Sequence, residues 1–393
     1  MQVFDSPSRI IVTCYGRLSP YLQQEITALG YKIVRPFATG LELYGSVKDC
    51  IRLNLRLRCA SQVLYSLREF RCNHPDELYR ALLPIPWEEL ISPTGYFSVT
   101  SNVYHPTINN SMFANVKVKD AIVDRLRRET GKRPSTGAEL KGAVIYLYWK
   151  DRSAEIFLDT SGETLAKHGY RKLPGTAPML ESLAAATILA SQWDRCSPFV
   201  NPMCGAGTLA IEAALIATDR FPGLLRDNYA FMHLTGFQRS MYTRERALLD
   251  GEIKDVPGLK IIATDNAPEA IQRSKINATA AGVEPLIEFD LCDFAATELP
   301  ADGNGVVFFN PEYGERMGEV AELEKTYSQL GDFMKQKCGG YKGYIFTGNL
   351  ELAKKIGLKA RRRIEFYNGK LDCRLLEFEL YAGSRRQKTD TPE

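Results

Sequence analysis

At 393 residues, 45% hydrophobic and 25% charged, the chain exceeds one ordinary domain and is composed like a globular protein, not a fibrous or low-complexity one. Its net charge of +3 excludes a partner chosen by total charge alone, although 21 basic face 17 acidic side chains up to residue 165 and 29 face 30 beyond it, so a nucleic-acid footprint is expected in the first part. Nine scattered cysteines without a Cys-x-x-Cys pair and four scattered histidines argue against disulfides and against any metal site, and the lack of a long apolar run or a basic-then-apolar leader predicts a cytoplasmic protein without membrane contact.

Residues 1–60 alternate strand-like pieces (9–14, 32–35, 40–45) with helix-like ones (19–29, 46–55), an order that fits a small ferredoxin-like domain. A second α+β pattern fills 61–160, with strands at 62–70, 95–101, 144–149 and 154–160 and helices at 75–83 and 109–128. In the last helix Phe113, Val116, Ala121 and 123–126 are expected to form the apolar stripe, leaving Lys117, Lys119, Arg125, Arg127 and Arg128 outside it. With Lys132 and Arg133 these form a basic surface suited to phosphates, diluted by Asp120, Asp124 and Glu129. Residues 161–178, rich in Gly, Pro and polar side chains, read as a linker.

After 178 the pattern becomes regular. A helix at 179–193 precedes an apolar run that breaks at Asn201-Pro202, crosses a small-residue loop with Gly205 and Gly207, and continues from Thr208 as a helix. A polar and aromatic insertion spans 219–257. Then come a strand at 260–264 ending in Asp265, a helix at 268–281, a strand at 287–292 leading to Asp293, a strand at 306–309 leading to Asn310, a helix at 319–337, a strand at 344–347 and a hairpin turning at Asn368-Gly369. Alternating strands and helices predict an α/β domain with a parallel sheet, closed here by an antiparallel hairpin. A tail from about 383 reads as flexible.

In such a sheet, ligands bind at the C-terminal strand ends. The candidate cofactor contacts are therefore Asn201, Pro202, Cys204, Gly205, Gly207 and Thr208 on the first strand, Asp265 and Asn266 on the second, Asp293 on the third and Asn310 on the fourth. A glycine loop at a helix start suits a nucleotide-bearing ligand, a carboxylate at 265 suits ribose hydroxyls, and one at 293 suits an adenine amino group.

Asn310-Pro311-Glu312-Tyr313 resembles the Asn-Pro-Pro-Tyr motif of amino-group methyltransferases. Together with 159–165, His168-Gly169-Tyr170-Arg171, the 201–208 loop and Tyr313-Gly314-Glu315-Arg316, it resembles the THUMP-domain class I RNA methyltransferases. These include guanine-N2 methyltransferases of bacterial large-subunit ribosomal RNA and relatives acting on tRNA. The resemblance implies a Rossmann-like methyltransferase domain at 179–383 and a tail at 384–393, preceded by ferredoxin-like (1–60) and THUMP (61–160) domains and the 161–178 linker. It also implies S-adenosylmethionine as cofactor, structured RNA, ribosomal in kind, as partner, and transfer to guanine N2. Transfer to tRNA guanine N2 or RNA adenine N6, or an RNA-binding role without catalysis, remain alternatives. On this reading the Asn310 Oδ1 and the Pro311 carbonyl accept the hydrogens of the target amino group, Tyr313 stacks on the base, and Arg171 joins the RNA-binding set. Glu312 stands where the family has a second proline, adding a charge that could point away, pair with Arg316 or bond the base edge.

Overall fold

The computed structural model describes residues 3–106, 108, 110–175, 178–301, 304–313 and 317–381. It divides into two compact units, 1–167 with 221–252 and 168–220 with 253 onward.

In the first unit β1 (Ser8–Thr13), α1 (Ser19–Ala28), β2 (Arg35–Phe37), β3 (Gly40–Gly45), α2 (Val47–Arg56) and β4 (Gln62–Arg71) are followed by α3 (Pro75–Leu82), β5 (Tyr96–Tyr104), α4 (Ser111–Thr130), β6 (Ser135–Thr136), β7 (Ala143–Lys150) and β8 (Ser153–Asp159). The strand expected at 32–35 forms slightly later, as β2. All eight strands make one sheet in the order β2-β3-β1-β4-β8-β7-β5-β6. Pairing therefore runs unbroken across the boundary expected at 60, because β4 lies antiparallel to both β1 and β8.

Helix α4 begins where the Asn110 side chain accepts the Met112 N–H at 2.9 Å and ends at Gly131, φ 70°. Its buried residues are Ala114, Val118, Ala121, Ile122, Val123 and Leu126. The expected stripe is corrected at its start: Phe113 and Val116 are 52% and 40% exposed. Steps of three and four from 114 through 118, 121, 122 and 126 hold one helix face, which 113 and 116 leave.

The second unit opens with α5 (Glu181–Ser191), β9 (Phe199–Pro202) and α6 (Thr208–Ala217). The chain then contributes 221–252, including α7 (Arg239–Glu252), to the first unit, although the insertion was expected within the methyltransferase domain. Burial explains the allegiance. Tyr229 and Phe231 are fully buried, Ala230 and Phe231 N–H groups donate to the Ser161 and Thr160 carbonyls, and Arg56 grips Glu252 through two bonds of 2.6 Å. A Cβ at Gly223 would lie 2.4 Å from the Leu55 backbone, so only glycine allows this approach to α2.

The second unit resumes with β10 (Ile261–Asp265), α8 (Pro268–Ala281), β11 (Ile287–Leu291), β12 (Val306–Phe309), α9 (Met317–Lys337), β13 (Lys342–Thr347), α10 (Leu350–Lys355), β14 (Arg362–Asn368) and β15 (Leu371–Glu379). The sheet order is β11-β10-β9-β12-β13-β15-β14, parallel except for β15, which runs antiparallel to β13 and β14. Asn368 pairs with Leu371, so Gly369 and Lys370 make the hairpin loop, one residue later than expected. The strand order reverses between β9 and β12, which leave the central crevice at their C-terminal ends. The expected tail at 384–393 lies outside the described residues.

Candidate active site

The loop between β9 and α6 is tied down by its neighbours. Met203, Gly205 and Gly207 all have positive φ. Asp265 Oδ2 accepts the Gly205 N–H at 2.9 Å while its Oδ1 accepts Ala267 N–H at 3.0 Å, so the carboxylate expected to meet a ribose also braces the loop. From α8, Ser274 Oγ donates to the Gly205 carbonyl at 2.9 Å and Asn277 Nδ2 to the Ala206 carbonyl at 3.1 Å. Asn277 is fully buried, donates also to the Leu173 carbonyl and accepts the Lys172 and Leu173 N–H groups, clipping the 172–173 segment beside the loop. Neither Ser274 nor Asn277 stood out in the sequence, since their partners lie about a hundred residues or fewer away in segments with no shared pattern. Burial raises the Cys204 thiol to about 12, which keeps it protonated.

Three observations test whether a nucleotide-bearing cofactor fits here. A Cβ built on Gly205 meets nothing within 4 Å among the described residues, so that side of the loop is open to a ligand there. Gly207 caps α6 without a side chain, which leaves the helix's first N–H groups available. Asn201, 1% exposed, donates to the Phe308 carbonyl at 2.8 Å, just where β9 and β12 part after the pair Val200 and Val307, and its Oδ1 has no partner among the described residues. The residues fit. Pro202 is buried in β9, Thr208 opens α6, Asn266 is exposed after β10, and Asp293 is exposed and caps the turn 294–296 by accepting the Ala295 N–H.

At the end of β12, Asn310 is half-buried and its Oδ1 accepts the Tyr313 hydroxyl at 2.7 Å. Burial pushes the Tyr313 phenol well above its ordinary range, so it remains a donor. The ring, expected to stack on a base, packs edge-on against Phe346 at 6.3 Å. That packing removes apolar ring surface from water, and Tyr313 becomes the residue that orients Asn310. Two further groups fasten this loop: the Tyr327 hydroxyl donates to the Glu312 carbonyl at 3.3 Å, and Asn349 Nδ2 to the Tyr313 carbonyl at 3.2 Å. Pro311 is buried and the Glu312 side chain is exposed. A pairing with Arg316 lies outside the described residues.

Arg171 is corrected as an RNA contact. Its Nη2 donates to the Met179 carbonyl at 2.5 Å and to Thr208 Oγ1 at 3.2 Å, 3.4 Å from Glu181, and its side chain is only 14% exposed. With the fully buried pair His168 Nδ1 and Glu212 Oε1, 2.7 Å apart, it anchors 168–181 to α6, because a guanidinium withdrawn from water needs acceptors and an anion. On α4 the basic set is largely self-neutralised: Lys117 pairs with Asp76 (2.8 Å), Lys119 with Asp120 (3.4 Å), Arg125 with Glu88 (2.6 Å) and Arg128 with Glu129 (2.9 Å). Arg127, Lys132 and Arg133 are exposed and have no ion pair among the described residues.

Family models match three segments: an RlmL ferredoxin-like domain at 9–64, a THUMP domain at 72–159, and an RMKL-like methyltransferase domain at 168–377. The chain belongs to the RMKL-like methyltransferase family. The ribosomal RNA large subunit methyltransferase K/L of Syntrophotalea carbinolica is 36% identical over 400 residues, covering 99% of this chain and 56% of that one. The chain thus spans about half the length of the curated relatives it matches. Among solved structures, SMU.472, assigned as a methyltransferase and complexed with SAH, superposes with a TM-score of 0.86 at 26% identity, covering 97% of this chain and 100% of that one. A predicted N6-adenine-specific DNA methylase from Listeria monocytogenes str. 4b F2365 gives 0.85 at 28%, covering 95% and 97%. Both cover the ferredoxin-like, THUMP and methyltransferase segments together, so the architecture is that of class I methyltransferases with ferredoxin-like and THUMP domains.

Proposed function

We propose that this member of the family transfers a methyl group from S-adenosylmethionine to the N2 of a guanine in large-subunit ribosomal RNA. The observation that carries the reading is the pairing of two strand ends across the switch point: the braced 204–208 loop after β9, and Asn310 held by Tyr313 after β12. The names of the curated relatives and the SAH in a related structure support it.

S-adenosylmethionine supplies an electrophilic methyl group. The chain's own part is to orient the acceptor. Asn310 Oδ1, kept in place by the Tyr313 hydroxyl, has a second lone pair for one amino hydrogen, and the Pro311 carbonyl takes the other, turning the nitrogen lone pair outward. These acceptors gain strength as the nitrogen becomes positive, so they stabilise the transition state more than the ground state. Asp265 and the open backbone at Gly205 would hold the nucleoside side of the cofactor, and the exposed Asp293 would offer an acceptor to its adenine amino group. No covalent nucleophile is needed, consistent with a Cys204 thiol that burial keeps neutral.

Methylation of adenine N6 is the second reading, favoured by the name of the Listeria monocytogenes relative. Incubating the protein with unmodified ribosomal RNA and isotopically labelled S-adenosylmethionine, followed by nucleoside mass spectrometry, separates the two. Label in N2-methylguanosine supports the first reading, label in N6-methyladenosine replaces it with the second, and absence of label removes both.

A further inference from the structure

Helices α1, α2 and α4 contact the strands of the first unit's sheet, and Ile10, Val12, Ile145, Leu147 and Trp149 share one buried face of it. Alternation turns their neighbours to the opposite face. There the register sets side chains in rows across β5, β7, β8 and β4: Thr100, Tyr146, Phe157 and Ser66; then Asn102, Tyr148, Glu155 and Glu69; then Tyr104, Lys150, Ser153 and Arg71. Exposure rises along the series. Phe157 and Tyr146 are 3% and 8% exposed, Tyr148 is 38% and Tyr104 59%. The Tyr104 and Tyr148 rings lie 6.2 Å apart, with exposed Asn102 and Lys150 in the same and the next row and exposed Arg71 two strands farther along, on β4.

Two cations on this corner are open to an anion. Lys150 and Arg71 have no ion pair among the described residues; Glu155 is paired with Arg9, while the exposed Glu69 keeps its charge, accepting only from the neutral Ser153 Oγ. Single exposed tyrosines are ordinary, but two adjacent rings flanked by unpaired cations and an amide match the three things an unpaired nucleotide presents: a π face, a phosphate and a base edge. A duplex buries its base faces and matches only the cations.

We propose that this corner of the sheet is a docking platform for an unpaired stretch of RNA, with bases stacked on Tyr104 and Tyr148 and phosphates on Lys150 and Arg71. The proposal rests on the RNA reading above and adds where the substrate is held and in what state.

The test uses the full chain, with a fluorescent oligouridine and a blunt RNA duplex of equal length as probes. Tyr104→Ala with Tyr148→Ala weakens oligouridine binding about tenfold or more, leaves duplex binding and thermal melting unchanged, and is rescued by phenylalanine at both positions, because the ring is retained. Lys150→Gln with Arg71→Gln lowers the salt slope of oligouridine binding by about 1.4. A double alanine variant that binds oligouridine like wild type overturns the platform, as does wild-type protein that binds neither probe, the result a protein partner would give. Methyl transfer to unmodified ribosomal RNA is read separately. Transfer by wild type with no binding defect in the tyrosine variant rejects the platform alone, and a binding defect without any transfer by wild type rejects the proposed reaction alone.

Discussion

Helix α4 of the first unit and the 201–208 loop of the second both carry groups that attract anions or nucleotides, yet they differ in what those groups already hold. On α4, Lys117, Lys119, Arg125 and Arg128 each have a carboxylate partner. At the loop, among the described residues, Asn201 Oδ1 has none, α6 starts without a side-chain cap, and nothing lies within 4 Å of a Cβ at Gly205. Residue type marks both regions as candidate sites, but only unengaged polar groups can bind something new without first breaking a bond. The α4 cations are thus largely spent on the protein's own carboxylates, whereas the loop keeps groups free for a ligand.

The largest effect expected from that contrast is at Asn310. Asn310→Ala should slow single-turnover methyl transfer about 10²- to 10³-fold, as loss of one transition-state hydrogen bond does elsewhere, with cofactor affinity by calorimetry nearly unchanged. Equal rates would remove this loop from catalysis. Asn277→Ala leaves buried loop groups without partners and should destabilise the protein by about 2–3 kcal/mol in urea unfolding. Unchanged stability would mean that the cradle does not depend on α8. Asp265→Ala should weaken cofactor binding about tenfold or more, through both the lost ribose acceptor and the freed Gly205 N–H. Equal affinity in titration calorimetry would take Asp265 out of the site.

A smaller effect separates engaged from unengaged cations. Arg125→Ala should cost roughly 1 kcal/mol of stability and leave RNA affinity unaltered, while Arg127→Ala should do the reverse, lowering the salt slope of RNA binding by about one at most. If Arg125 proves the stronger RNA determinant, its pairing with Glu88 does not withhold it and the comparison fails.

The remaining effect is read in pH dependence and concerns Asp159, fully buried where β8 ends. Burial raises its carboxyl to about 7 despite N–H bonds from Ser161 and Gly162 and the nearby Arg226 charge. The folded state therefore holds this proton more tightly than the unfolded one, and the stabilisation is present below the ordinary aspartate range and lost as pH rises toward 7. The melting temperature of wild type should fall across that window by a few degrees more than that of Asp159→Asn, and parallel curves would refute the shift.

Elements governed by neighbours in the chain were legible from residue order alone. The strand, glycine loop and helix at 199–217, the strand ends at Asp265, Asp293 and Asn310, and the α/β alternation all follow from periodicity and turn chemistry within about a dozen residues. Tertiary structure decided what long-range partners decide. Lys117 and Arg125 meet carboxylates 41 and 37 residues away, Arg171 meets Thr208 across 37, and Asn277 reaches Leu173 across 104, so their availability could not be read locally. The insertion joins the first unit because its aromatics are buried there, and Tyr313 meets Phe346 edge-on across 33 residues of chain. Local order placed the functional groups at the strand ends, and burial and pairing across the fold determined which of them remain free to act.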